Sequence, residues 1–227
     1  MSLTLHEMAG LLNIPPETLR RQIGKGRTPV RTVRDQYRFN LSEWLEWAAL
    51  HPSALPEHNH TDSTTSSVSI ESALRSGGVH HDLPGKDRSE ILKQMAARIQ
   101  LPASIDKSHL LNILSAREKM ATTAVGDGLA IPHVRMPLVF RLSQPVMALF
   151  FLQDPVDFGA LDGKPVRTLF LFLSPTVKTH LTLFSRLIRI IHHRRIKKML
   201  SLKPEADQIL AAVQEIETSF QEQGRTA

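Results

Sequence analysis

Residues 51–68 read His-Pro-Ser-Ala-Leu-Pro-Glu-His-Asn-His-Thr-Asp-Ser-Thr-Thr-Ser-Ser-Val. A run with so little apolar periodicity, and so many side chains that hydrogen-bond their own backbone, does not join a packed core. It reads as a linker that divides the chain into a small module, residues 1–50, and a domain of ordinary size, residues 69–227. No internal repeat relates the two parts.

In residues 1–50, Thr4 and Glu7 form a capping-box pair ahead of Leu5, Met8, Ala9, Leu11 and Leu12, whose spacing predicts a first helix. Pro15 and Pro16 suit the start of a second helix, which buries Leu19 and Ile23 and ends at Gly24 and Gly26. Residues 29–33 and 36–39 alternate as two short strands around Arg34-Asp35, a small hairpin or wing. Asn40 with Glu43 then opens a third helix carrying Leu41, Trp44, Leu45, Trp47 and Leu50.

After the linker, helices are predicted over 69–75, about 87–99 and 106–120. Strands are predicted over 79–83, 129–131, 146–152 and 168–173. The fold class is therefore α/β, a mixed β-sheet flanked by helices, preceded by the small module.

Cysteine is absent, which excludes disulfides, thiolate catalysis and thiolate zinc sites, and leaves histidine as the obvious side-chain nucleophile or ligand. Among the eleven histidines, the pairs His58/His60, His80/His81 and His192/His193 lack further ligands at metal-binding spacing, so neither metal nor cofactor is expected. The longest apolar runs, 146–152 and 169–173, fall far below the ~20 residues of a membrane-spanning helix. Residues 1–7 carry no secretory pattern, and a cytoplasmic protein is expected. The net charge of +6 suits a phosphate-bearing or acidic partner. The basic residues cluster in two places, from Arg20 to Arg38 and from Arg186 to Lys198.

Gly126-Asp127-Gly128-Leu129-Ala130-Ile131-Pro132-His133 places a histidine after a turn and a short apolar segment, with Pro132 holding the preceding residue extended. Together with 113–118, Thr122-Thr123, 156–166, 169–173 and His180-Leu181, this stretch resembles the phosphohistidine motif of enzyme IIA of the fructose, mannitol and nitrogen-regulatory branch of the bacterial phosphotransferase system. The resemblance covers roughly residues 69–222. It implies that His133 accepts a phosphoryl group from an HPr-like phosphocarrier, that Arg117 neutralises the transferred oxygens, and that His180 polarises or hydrogen-bonds the group. These roles require the His133 ring to be exposed at the mouth of a cleft where Arg117 and His180 converge. A neutral imidazole and a nearby guanidinium suit that chemistry. Glu118 and Asp127 are expected to set the local turn and charge rather than to carry protons. Val134 stands where relatives often have a small residue, which narrows the donor's approach.

Residues 1–50 resemble the excisionase or MerR-type winged helix-turn-helix, by the run Leu5 to Ile14, the following helix and wing, and Gln36-Tyr37-Arg38-Phe39 before the tryptophan helix. The resemblance implies that Glu17, Thr18, Arg20, Arg21 and Gln22 face the major groove while Arg31, Arg34 and Arg38 reach phosphates. Pro15 and Gln22 depart from that family's polar cap and aromatic. A single such module binds weakly, so a homodimer or a partner is expected.

The leading expectation is a regulatory phosphocarrier of the nitrogen type linked to transcription. The sequence shows no transport domain, which favours that type. Two alternatives stand beside it. One is a DNA-binding regulator whose IIA-like domain is a non-catalytic sensor; the other is a transport-type enzyme IIA that passes phosphate to a IIB protein.

Overall fold

The computed structural model describes residues 2–12, 14–24, 28–40, 43–44, 47, 68–134 and 140–225. The proposed linker, apart from Val68, lies outside them, as do Leu41, Leu45, Leu50, His58 and His60.

The first elements are β1 (Ser2–Thr4), α1 (Leu5–Leu12), α2 (Pro16–Gly24), β2 (Val30–Val33) and β3 (Gln36–Asn40). The capping box forms as the sequence predicts: the Thr4 amide donates to Glu7 Oε2 at 2.8 Å, and the Glu7 amide donates to Thr4 Oγ1 at 3.2 Å. Arg34 and Asp35 both adopt positive φ, 49° and 58°. That conformation lets a two-residue turn match the strand twist. Strand β1, which no local sequence pattern marks, pairs antiparallel with the other edge of β3 and completes a three-stranded sheet. Leu3, Met8, Leu19, Phe39 and Trp44 are buried together.

The remaining elements are α3 (Ile70–Gly77), β4 (Val79–Leu83), α4 (Arg88–Arg98), α5 (Lys107–Met120), β5 (Ala124–Gly126), β6 (Leu129–Ala130), β7 (Val146–Val156), β8 (Val166–Leu173), α6 (Val177–His192), α7 (Arg194–Ser201) and α8 (Ala206–Arg225). Side chains cap four of these helices: Ser69 on α3, Asp87 on α4, Asp106 on α5 and Thr176 on α6.

Five strands form a mixed sheet in the order β4-β7-β8-β6-β5. The β4–β7 and β6–β8 pairs are parallel, and the β7–β8 and β5–β6 pairs are antiparallel. The continuous apolar runs of β7 and β8 are explained by burial of both faces. Met147, Leu149, Phe151, Phe170 and Phe172 pack with α3, α6, α7 and α8. Ala148, Phe150, Leu152, Leu169 and Leu171 face the opposite way, onto α4 and α5. The result is a three-layer arrangement with the sheet in the middle.

Helix α1 also contacts α6. A single apolar cluster thus runs from Leu3, Met8 and Phe39 into Leu187, Ile188 and Ile191 of α6. No described helix is long and apolar enough to cross a membrane.

Candidate functional site

The turn from β5 to β6 is built by Gly126 at φ 92°, Asp127 at φ 53° and Gly128 at φ 74°. The Asp127 amide donates to Asp162 Oδ2 at 2.8 Å, and its carboxylate binds Lys164 Nζ and Lys197 Nζ, each at 2.9 Å. These two lysines hold the Asp127 carboxyl down at about 2. Asp127 therefore anchors the turn, and its low value suits an ion-pair partner rather than a proton carrier.

Beyond the turn, β6 runs beside β8, and His133 makes a parallel bridge to Phe172. Four hydrogen bonds fix its approach. Glu118 is buried and accepts from the Thr123 amide at 3.3 Å and from the Thr123 hydroxyl at 2.6 Å. The Ile131 amide donates to the Thr123 carbonyl at 2.9 Å. The His133 ring is 2.8 Å through Nδ1 from the Ile131 carbonyl. A carbonyl can only accept, so this bond places the ring proton on Nδ1 and leaves the lone pair on Nε2. Nε2 is buried without a hydrogen-bond partner.

The structure corrects the expectation that the His133 ring is exposed. It is only 4% exposed, because β6 carries it inward between β8 and α6. Phe172 and Phe184 lie against it, with ring centroids at 6.4 and 5.9 Å. Burial, together with the Arg117 charge, depresses the imidazole from 6.5 to about 4, against the opposing effect of the Ile131 bond. The ring is therefore neutral near pH 7.

The ring nevertheless forms part of the wall of a cavity of about 200 Å³, shared with Arg117, Thr122, Thr123, Leu161 and Phe184. Arg117 is also buried, not a solvated residue at a helix end, and its Nη1 donates to the Ala121 carbonyl at 2.8 Å. His180 departs from the expected convergence. It lies close to His133, with centroids 6.0 Å apart, but stacks on Phe172 at 4.5 Å and is absent from the cavity wall. Burial and the neighbouring His133 bring it down to about 3. Val134 does not narrow any approach, since it is fully buried in the α4–α5 side of the core.

Phe184 escapes the sequence reading. Its one available signal is the four-residue spacing from His180, which puts both on one face of α6. Among the described residues no cluster of three potential metal ligands forms.

The described basic residues of the first module sit on its surface or half-buried. Arg20 and Arg21 are exposed on α2, Thr18 is half-buried, and Arg20 lies 3.9 Å from Glu17. Arg31 pairs with Glu43 at 3.4 Å, and Arg38 donates to Gln36 at 3.2 Å. Arg20 also lines a groove of about 600 Å³ with Asp35, Gln36 and Tyr37 of the hairpin.

Comparison with known proteins places this arrangement among relatives. The nitrogen regulatory protein of Pseudomonas aeruginosa is 32% identical over 154 residues, covering 66% of this chain and 97% of that protein. A fructose-specific EIIA component from Haloferax volcanii is 36% identical over 110 residues, covering 48% of this chain and 69% of that protein. The crystal structure of the nitrogen regulatory protein IIA-Ntr from Neisseria meningitidis shares the mixed α/β fold at a TM-score of 0.55 and 26% identity, covering 63% of this chain and 98% of that one. A family model described as phosphoenolpyruvate-dependent sugar phosphotransferase system, EIIA 2, matches residues 72–216. With its central mixed sheet and the motif ending at His133 inside that match, the chain belongs to this EIIA type 2 family.

Proposed function

We propose that this protein is a regulatory phosphocarrier of the nitrogen type, which accepts a phosphoryl group on Nε2 of His133 from an HPr-like phosphocarrier. The observation that carries this reading is the Nδ1 bond to the Ile131 carbonyl, which leaves an unprotonated, unpartnered Nε2 on a ring that shares a cavity wall with Arg117. In the step, Nε2 attacks the phosphorus of the donor's phosphohistidine and the bond to the donor nitrogen breaks. The charge spread over the three equatorial oxygens calls for a cation, and Arg117 supplies it. The Nδ1 proton stays on the ring throughout.

The burial of His133 adds a requirement. A cavity of about 200 Å³ admits the phosphoryl group but not the donor's own surface, so its rim must move before in-line contact. His180 acts from behind the ring, holding it with Phe172 in a dry, aromatic setting. Similarity to nitrogen regulatory proteins of several bacteria supports the regulatory type over the transport type.

Residues 1–50 form, in this reading, a winged helix-turn-helix joined by the segment 51–68 to an EIIA domain over 69–227, so that phosphorylation bears on transcription. A second reading, of a DNA-binding regulator with a non-catalytic EIIA-like sensor, is favoured by the burial of both His133 and His180. Labelled phosphoryl transfer separates the two. Incorporation of an acid-labile label from a phosphorylated HPr-type carrier, lost in His133→Ala, supports the phosphocarrier. Undiminished label in that variant, or no label in the unaltered protein, contradicts it.

A further inference from the structure

A second cavity, of about 380 Å³, opens between the β6–β8 edge and α7, and His133 and Arg117 are not part of its wall. Its charged lining is Arg167 from β8, Lys197 from α7, Lys203 just beyond α7, and Asp127 from the β5–β6 turn. Three cations face one carboxylate within the lining. Lys197 is shared with Asp127 at 2.9 Å, and Lys203 donates to the Leu152 carbonyl at 2.6 Å with Asp82 at 3.9 Å. Arg167 has no carboxylate within ion-pair distance among the described residues. Leu129 and Leu200 supply apolar wall.

We propose that this cavity binds a small dianion on a short carbon skeleton, of the phosphate-monoester or dicarboxylate class. Its volume falls within the range of small-molecule sites, about 300–1,000 Å³. The excess of cations over carboxylates in the lining suits a doubly charged anion, and the planar Arg167 fork offers two parallel donors to a phosphate or a carboxylate. Leu129 and Leu200 account for a carbon skeleton rather than an inorganic ion. Binding also draws Lys197 away from Asp127. The turn that Lys197 now helps to hold precedes β6, and both the Arg167 and Thr168 amides donate to the Gly128 carbonyl, at 2.8 and 3.2 Å. Occupancy is thereby felt by the strand that leads to His133. The binding claim itself does not depend on what His133 does.

The test is an amide chemical-shift titration of the full chain with glycerol 3-phosphate, succinate and inorganic phosphate, at constant ionic strength. Saturable shifts at Gly128, Lys197 and Ser201 are expected with at least one of the two organic dianions, and the stronger of the two identifies the class. Arg167→Ala and Lys203→Ala should each weaken binding about tenfold or more, the loss of one charge-assisted contact. Asp127→Asn should tighten it, since a competing carboxylate is removed. Shifts that never saturate, that inorganic phosphate reproduces at equal concentration, or that persist unchanged in the arginine and lysine variants would overturn the proposal.

Discussion

At the scale of single residues, burial governs the chemistry of the two imidazoles. An imidazole whose folded-state value lies below its unfolded 6.5 is neutral in both states above pH 6.5. Below that, the unfolded chain takes up the proton first. Stability should therefore be complete above 6.5 and fall as pH drops toward about 4 for His133 and about 3 for His180. Acid unfolding monitored by circular dichroism checks this, and His180→Phe, which removes one of the two groups, should make the decline shallower. By the same values, the His133 Cε1–H resonance should titrate near pH 4. A midpoint near 6.5 would mean the ring is solvated. Arg117→Ala should slow phosphoryl acceptance by about a hundredfold or more, the scale for losing one donor to a developing charge. Arg117→Lys should restore part of the rate, because it keeps the charge and loses the planar fork. Single-turnover kinetics with a phosphorylated carrier reads both.

At the scale of elements, two contacts hold the site in place. Glu118 satisfies two donors of Thr123, and Thr123 in turn accepts from Ile131. Glu118→Ala leaves both donors buried without an acceptor and should cost about 1–3 kcal/mol, measurable by denaturant unfolding. Gly77 ends α3 where a Cβ would stand 2.3 Å from the Met147 carbonyl oxygen of β7. Gly77→Ala forces helix and strand apart and should destabilise by about 1–3 kcal/mol. That requirement has no trace in the sequence, since the glycine lies at a helix end where glycine is common for other reasons. The capped helices α3, α4 and α5 and strands with long apolar runs, such as β7 and β8, are legible because local chemistry and burial agree. The three-residue strands β1 and β5 are not legible, as they exist only through pairing with β3 and β6. The site is legible to the same extent. The run Gly126–His133 marks the histidine, but its burial depends on Phe172 and Phe184, which arrive from β8 and α6 and leave no mark within that run.

At the scale of the whole molecule, the first module is packed against α6, the helix that carries His180 and Phe184. Arg20 and Arg21 remain exposed on α2 in this arrangement. If Arg31 and Arg38 contact DNA phosphates while Arg20 and Arg21 face the major groove, Arg31→Ala with Arg38→Ala should lower the slope of log affinity against log salt by about 2, in filter binding or fluorescence anisotropy. An unchanged slope would leave the module as a protein-contact unit. The phosphocarrier reading meets its plainest test in mass spectrometry of the full chain after incubation with a phosphorylated HPr-type carrier, kept alkaline to preserve the phosphoramidate. One added phosphoryl group, mapped by fragmentation to His133, is the expected result. A chain that stays unmodified, or a phosphoryl group mapped to another histidine, would contradict it.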